Sequence, residues 1–179
     1  MIVLVIGKPD SGKSKRAEEL AMTLAGDNKK IYLATMIPYG EEGAKRVEKH
    51  RKMRDGKGFV TIECQTDLEE LSTHKEIGEN VTCLLECVSN LAGNEMYKDA
   101  QKYWSIDKLK DKITHDIISL SEKIENMVIV TNKFELEESF DEDTIRYVEL
   151  VNNVNEALKG YADRIYDITG EEWQIYENN

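Results

Sequence analysis

Met1-Ile-Val-Leu-Val-Ile-Gly7-Lys8-Pro9-Asp10-Ser11-Gly12-Lys13-Ser14 opens the chain, and its reading decides the fold. Five apolar residues end at a glycine, and residues 7–14 then fit G-x-x-x-x-G-K-[ST]. Glycines at both ends let backbone N–H groups turn inward around phosphate oxygens. Lys13 can neutralise the terminal phosphates, and the Ser14 hydroxyl can ligate Mg²⁺. The pattern needs a strand before it and a helix after it. Ile2–Ile6 reads as the strand. Lys13–Ala25, with Ala17, Leu20, Ala21 and Leu24 at helical spacing, reads as the helix.

Outward from this loop, four further short apolar runs read as strands buried on both faces: Lys30–Ala34, Thr82–Leu85, Met127–Thr131 and Arg164–Ile168. Helical spacing predicts helices over Glu41–Arg54, Ile106–Ile124 and Thr144–Tyr161. Alternating strands and helices imply an α/β fold, a mostly parallel sheet flanked by helices. Lys133–Asp143 is acidic and reads as an exposed loop. With 179 residues, two prolines and no linker-like tract, the chain is expected to be one domain over 1–179.

A net charge of −11 argues against a general nucleic-acid-binding surface. No apolar run approaches the roughly 20 residues that span a bilayer. Cys64, Cys83 and Cys87 make no disulfide framework, which suggests a reducing cytoplasm.

Glu86 follows the run Thr82–Leu85, where a phosphate-loop enzyme places its metal-directed acid. The stretch Ala44–Lys57 carries a net charge of +5 inside this acidic chain. Such a run is commonly a solvated face. Arg46, His50 and Arg54, however, fall at i, i+4 and i+8 and share one side of a helix. A neutral imidazole between two guanidiniums can attack a phosphorus atom while the arginines hold phosphate oxygens. His74 and His115 have no such setting and read as surface residues.

Several segments together resemble the bifunctional adenosylcobinamide kinase / adenosylcobinamide-phosphate guanylyltransferase family of cobalamin assembly. They are the loop Gly7–Ser14, Tyr32-Leu-Ala-Thr35, Arg46-x-x-x-His50-x-x-x-Arg54, Thr61-x-Glu63, Leu84-Leu-Glu-Cys87 with Asn94, Val130-Thr-Asn132, Val154-Asn155 and Ala162-Asp163. The resemblance implies a RecA-like phosphate-loop domain assembled as a homotrimer, with GTP, ATP and Mg²⁺ as ligands. It also implies a histidine, His50, that becomes guanylylated. GTP contacts would fall on Gly7, Lys8, Pro9, Asp10, Ser11, Gly12, Lys13 and Ser14, on Ala34, Thr35 and Met36, on Arg51, Lys52, Met53 and Arg54, and on Glu63 and Glu86. Metal would be held by Ser14 and Glu86, and the acceptors would be adenosylcobinamide and adenosylcobinamide phosphate. The sequence departs from the family pattern at Lys8 and Asp10, at Phe59, and at Lys133–Glu138, which has neither glycine nor proline. Two other readings of the same loop are a small-metabolite kinase, which leaves His50 without a task, and a nucleotide-binding paralogue without cobinamide activity.

Overall fold

The computed structural model describes residues 1–170 and 172–178, and of Arg46 and Met53 the backbone alone. Seven strands form one sheet in the order β3-β2-β4-β5-β1-β6-β7. The strands are β1 Ile2–Gly7, β2 Lys29–Ala34, β3 Phe59–Glu63, β4 Val81–Glu86, β5 Asn126–Asn132, β6 Arg164–Ile168 and β7 Gln174–Glu177. All neighbours are parallel except β6 and β7. The five strands expected from apolar runs are all present, four of them one or two residues longer. The expected mostly parallel sheet flanked by helices is therefore the observed architecture.

The helices are α1 Lys13–Ala25, α2 Gly40–Arg54, α3 Val88–Tyr97, α4 Ile106–Ser121 and α5 Glu142–Lys159, with a 3₁₀ turn at Leu68–Thr73. Helix α4 stops at Ser121 rather than Ile124, and a turn carries Ile124 into the core. Helix α5 runs over 142–159 rather than 144–161, because Asp141 caps it by accepting a hydrogen bond from Thr144 N at 2.7 Å.

The sheet separates two cores. One face packs Leu4, Ile6, Leu33 and Leu85 against Leu109, Ile113 and Ile117 of α4 and Leu150, Val151 and Val154 of α5. Each such side chain contributes about 1.5–3 kcal/mol by leaving water. The other face is thinner: Ala17 and Ala21 of α1 lie on Val3, Val5, Val128 and Val130. Small residues let α1 sit close to the sheet and fix the loop that precedes it.

The segment 133–141 is a loop, but it is not wholly exposed. Phe134 packs on the larger core, its ring centroid 5.8 Å from that of Tyr147. His74 also departs from its surface reading. It is half-buried, and its Nδ1 accepts a hydrogen bond from Glu76 N. His115 is exposed, as expected.

Candidate active site around the phosphate loop

Register carries the candidate residues to one edge of the sheet. Gly7 pairs with Asn132, and Ala34 pairs with both Glu63 and Glu86. All lie at the carboxyl ends of parallel strands, where open α/β sheets bind ligands. Residues 7–14, 34–36, 63 and 86 therefore converge there, with β1 near the middle.

The loop is shaped by its backbone. Asp10 and Gly12 have φ of 57° and 82°, both left-handed. At Gly7 an added Cβ would sit 2.6 Å from Ile168 Cγ1 and from Ser11 Oγ. Lys13 is buried, and its ammonium donates to Lys8 O at 3.0 Å. No side chain caps the N-terminus of α1, which leaves its first N–H groups open to an anion. Ser11 Oγ is buried without a hydrogen-bond partner.

Ser14 Oγ donates to Glu86 Oε1 at 2.5 Å. Burial pushes the Glu86 carboxyl upward, while Ser14, Lys13 and Arg54 pull it back and Glu18 opposes them. Glu18 is buried on α1 and pairs with Lys57. The sequence reading missed it, although its position four residues after Ser14 puts it on the same helix face.

Arg54 is not part of a solvated face. It is 8% exposed, with its guanidinium carbon 3.3 Å from the Tyr32 ring centroid. Its Nη1 is buried without a hydrogen-bond partner. Burial, with the Glu86 charge adding to it, raises the Tyr32 phenol, and the arginine works against both. His50 lies one turn earlier and is half-buried. Arg51 pairs with Glu63 at 3.3 Å and Lys52 with Glu48 at 2.7 Å, both on the surface. The side chains of Arg46 and Met53 lie outside the described residues.

Thr35 is used from within. Its Oγ1 donates to Cys87 O and accepts from Cys87 N, both at 2.8 Å, and its carbonyl accepts from Asn94 Nδ2 at 2.7 Å. Ala34 and Met36 beside it are half-buried. Asn132, held by Ser89 Oγ at 2.6 Å, keeps a buried, unpartnered Oδ1 at this strand edge. The segment after it is tied directly to the loop: Lys133 N donates to Gly7 O at 3.1 Å, and Glu135 pairs with Lys8 at 3.2 Å. Thus the stretch that departs from the family pattern borders the phosphate loop.

Buried donors and acceptors left open around a loop with a cation and a serine–carboxylate pair fit a phosphate chain and a divalent ion. Among the described residues no group of three or more His, Cys, Asp and Glu side chains gathers to hold a metal ion. No helix is long and apolar enough to cross a membrane among the described residues.

A family model described as cobinamide kinase / cobinamide phosphate guanyltransferase matches residues 3–171. No curated protein matches the sequence. Among solved structures, the chain is similar to the flagellar accessory protein FlaH from Methanocaldococcus jannaschii. Identity is 16% and the TM-score 0.50, over 99% of this chain and 78% of that one. That likeness concerns the fold alone.

Proposed function

Since the chain belongs to the cobinamide kinase / cobinamide phosphate guanyltransferase family, we propose that it carries out both reactions, phosphoryl transfer at the loop Gly7–Ser14 and guanylyl transfer through His50. In the first, the hydroxyl of adenosylcobinamide attacks the γ-phosphorus of ATP or GTP. The bond from γ-phosphorus to the bridging oxygen breaks, and a nucleoside diphosphate leaves. Lys13 and the N–H groups at the start of α1 stabilise charge on the transferred group. Ser14 and Glu86 would hold Mg²⁺, which supplies further positive charge to the phosphates.

In the second reaction the neutral imidazole of His50 attacks the α-phosphorus of GTP. Pyrophosphate leaves, and GMP remains on the ring through a P–N bond. A phosphate oxygen of adenosylcobinamide phosphate then displaces the imidazole and forms adenosylcobinamide-GDP. Splitting one displacement into two lowers each barrier. In this reading Arg54 would hold the departing pyrophosphate, with residues 34–36, 51–53 and 63 along the path of this GTP. The same reading takes 1–179 as one cytoplasmic domain that assembles as a homotrimer.

The observation that carries the proposal is the Ser14–Glu86 contact beside the loop, with buried Arg54 one turn from His50. Incubation with GTP labelled at the α-phosphate tests it. Label should attach to the protein, survive alkali and be lost in acid, as a phosphoramidate does, and His50→Ala should prevent it. Turnover of γ-phosphate without α-label would favour a simple kinase. GTP binding with neither would favour a non-catalytic paralogue.

A further inference from the structure

On the side of the phosphate loop away from α2 lies an open cavity of about 360 Å³, lined by Gly12, Lys15, Arg16, Glu19, Tyr166, Trp173 and Ile175. The strand order explains its place. Strand β1 separates β5, on the α2 side, from β6 and β7, and the cavity sits between the start of α1 and the β6–β7 hairpin. Its size falls within the roughly 300–1,000 Å³ of small-molecule sites.

The walls join an aromatic pair to charged side chains: Lys15, and Arg16, which pairs with Glu19 at 3.5 Å. The guanidinium carbon of Arg16 is 5.5 Å from the Tyr166 ring centroid and 5.9 Å from that of Trp173. The two rings meet nearly edge to face, 6.4 Å apart at 78°. Tyr166 is buried, but Trp173 keeps 44% of its surface exposed. A flat guanidinium and a half-exposed indole suit a flat, electron-rich heterocycle, which can stack on both.

Gly12 belongs to the cavity wall and to the phosphate loop alike. Arg16 lies one helical turn further, about 6 Å along the axis. A ligand with phosphates in the loop and a base attached through a sugar therefore spans from one to the other. We propose that this cavity receives the purine base of the nucleoside triphosphate that donates its γ-phosphate. This rests on the reading that the loop Gly7–Ser14 binds a triphosphate. It separates the phosphoryl donor, with its base toward β6–β7, from the guanylyl donor, which faces α2.

Equilibrium binding of ATP and of inorganic tripolyphosphate to the full chain, its Trp173→Ala variant and its Trp173→Phe variant tests the assignment. Stacking of a base on an aromatic is worth about ten- to a hundred-fold in affinity. ATP should outbind tripolyphosphate by about that factor in the unmodified protein. Trp173→Ala should remove the advantage and leave tripolyphosphate unchanged, and Trp173→Phe should restore most of it. Equal weakening of both ligands by Trp173→Ala, or no change in ATP binding, would overturn the base site. Tripolyphosphate that fails to bind the unmodified protein, or binds equally well after Lys13→Ala, would instead overturn the loop assignment and the base site with it.

Discussion

Lys13 shows how a single side chain ties sequence to chemistry. Its place was legible because one spacing demands it, and the structure buries it against the loop's own carbonyl. Lys13→Ala should lower phosphoryl transfer by roughly 10²-fold or more, the scale of losing one positioned charge contact in an active site. Steady-state kinetics with a retained circular-dichroism spectrum check this. Glu86→Gln should keep the fold and raise the Mg²⁺ concentration needed for half-maximal activity, as a metal titration would show. Arg54 was harder to read. Its spacing from His50 placed it on a helix face, but nothing local says that this face turns inward onto Tyr32. That contact joins residues 22 positions apart, and only the pairing of β2 with its neighbours brings it about.

At the scale of elements, strands buried on both faces announced themselves, since a run such as Met127–Thr131 has no polar side to hide. Strands β3 and β7 did not. In β3 only Ile62 is buried, and β7 is exposed throughout, so neither carries a run or an alternation strong enough to read. Helix α3 combines Val88, Leu91, Ala92 and Met96 with Gly93 and Asn94, which weaken any propensity signal. Its anchor is also invisible in sequence. Lys112 on α4 reaches Glu95 on α3 at 2.9 Å, Asp116 at 2.7 Å and Asp67 at 3.1 Å. Glu95 is fully buried and also accepts from Asp67 N at 2.7 Å. Lys112→Met keeps the stem but strands these carboxylates, so it should destabilise the protein by about 3–5 kcal/mol in urea unfolding.

For the whole molecule, the same cluster sets a response to acid. Burial alone would raise Asp67, but hydrogen bonds from Lys98 and Lys112 outweigh it and hold its carboxyl at about 2. In the unfolded chain an aspartate titrates near 3.9, approximately. A depressed folded value gives stability that is complete above the unfolded value and fades as pH falls through the folded one. Stability should therefore fall between about pH 4 and pH 2. Asp67→Asn should be less stable at pH 7, with a flatter profile in that window that meets the unmodified curve near its lower end. Thermal melts across the range check this. Global architecture was legible from the alternation of runs, whereas strand order was not. Nothing in the sequence of β1 states that β5 and β6 flank it, and that order puts the +5 segment and the aromatic cavity on opposite sides of the loop.

The tight approach at Gly7 bears on how such a chain can drift over generations. A methyl group there meets a branched side chain from the far end of the sequence and a hydroxyl from within the loop, each 2.6 Å away. Both neighbours must shift to make room. Alanine at position 7 is strained while Ile168 and Ser11 stand as they do, and a smaller residue at 168 eases it, so the order of substitutions bears on which descendants survive. The first and last parallel strands are thereby inherited as a pair: a change near residue 168 that is silent by itself opens or closes a route at residue 7.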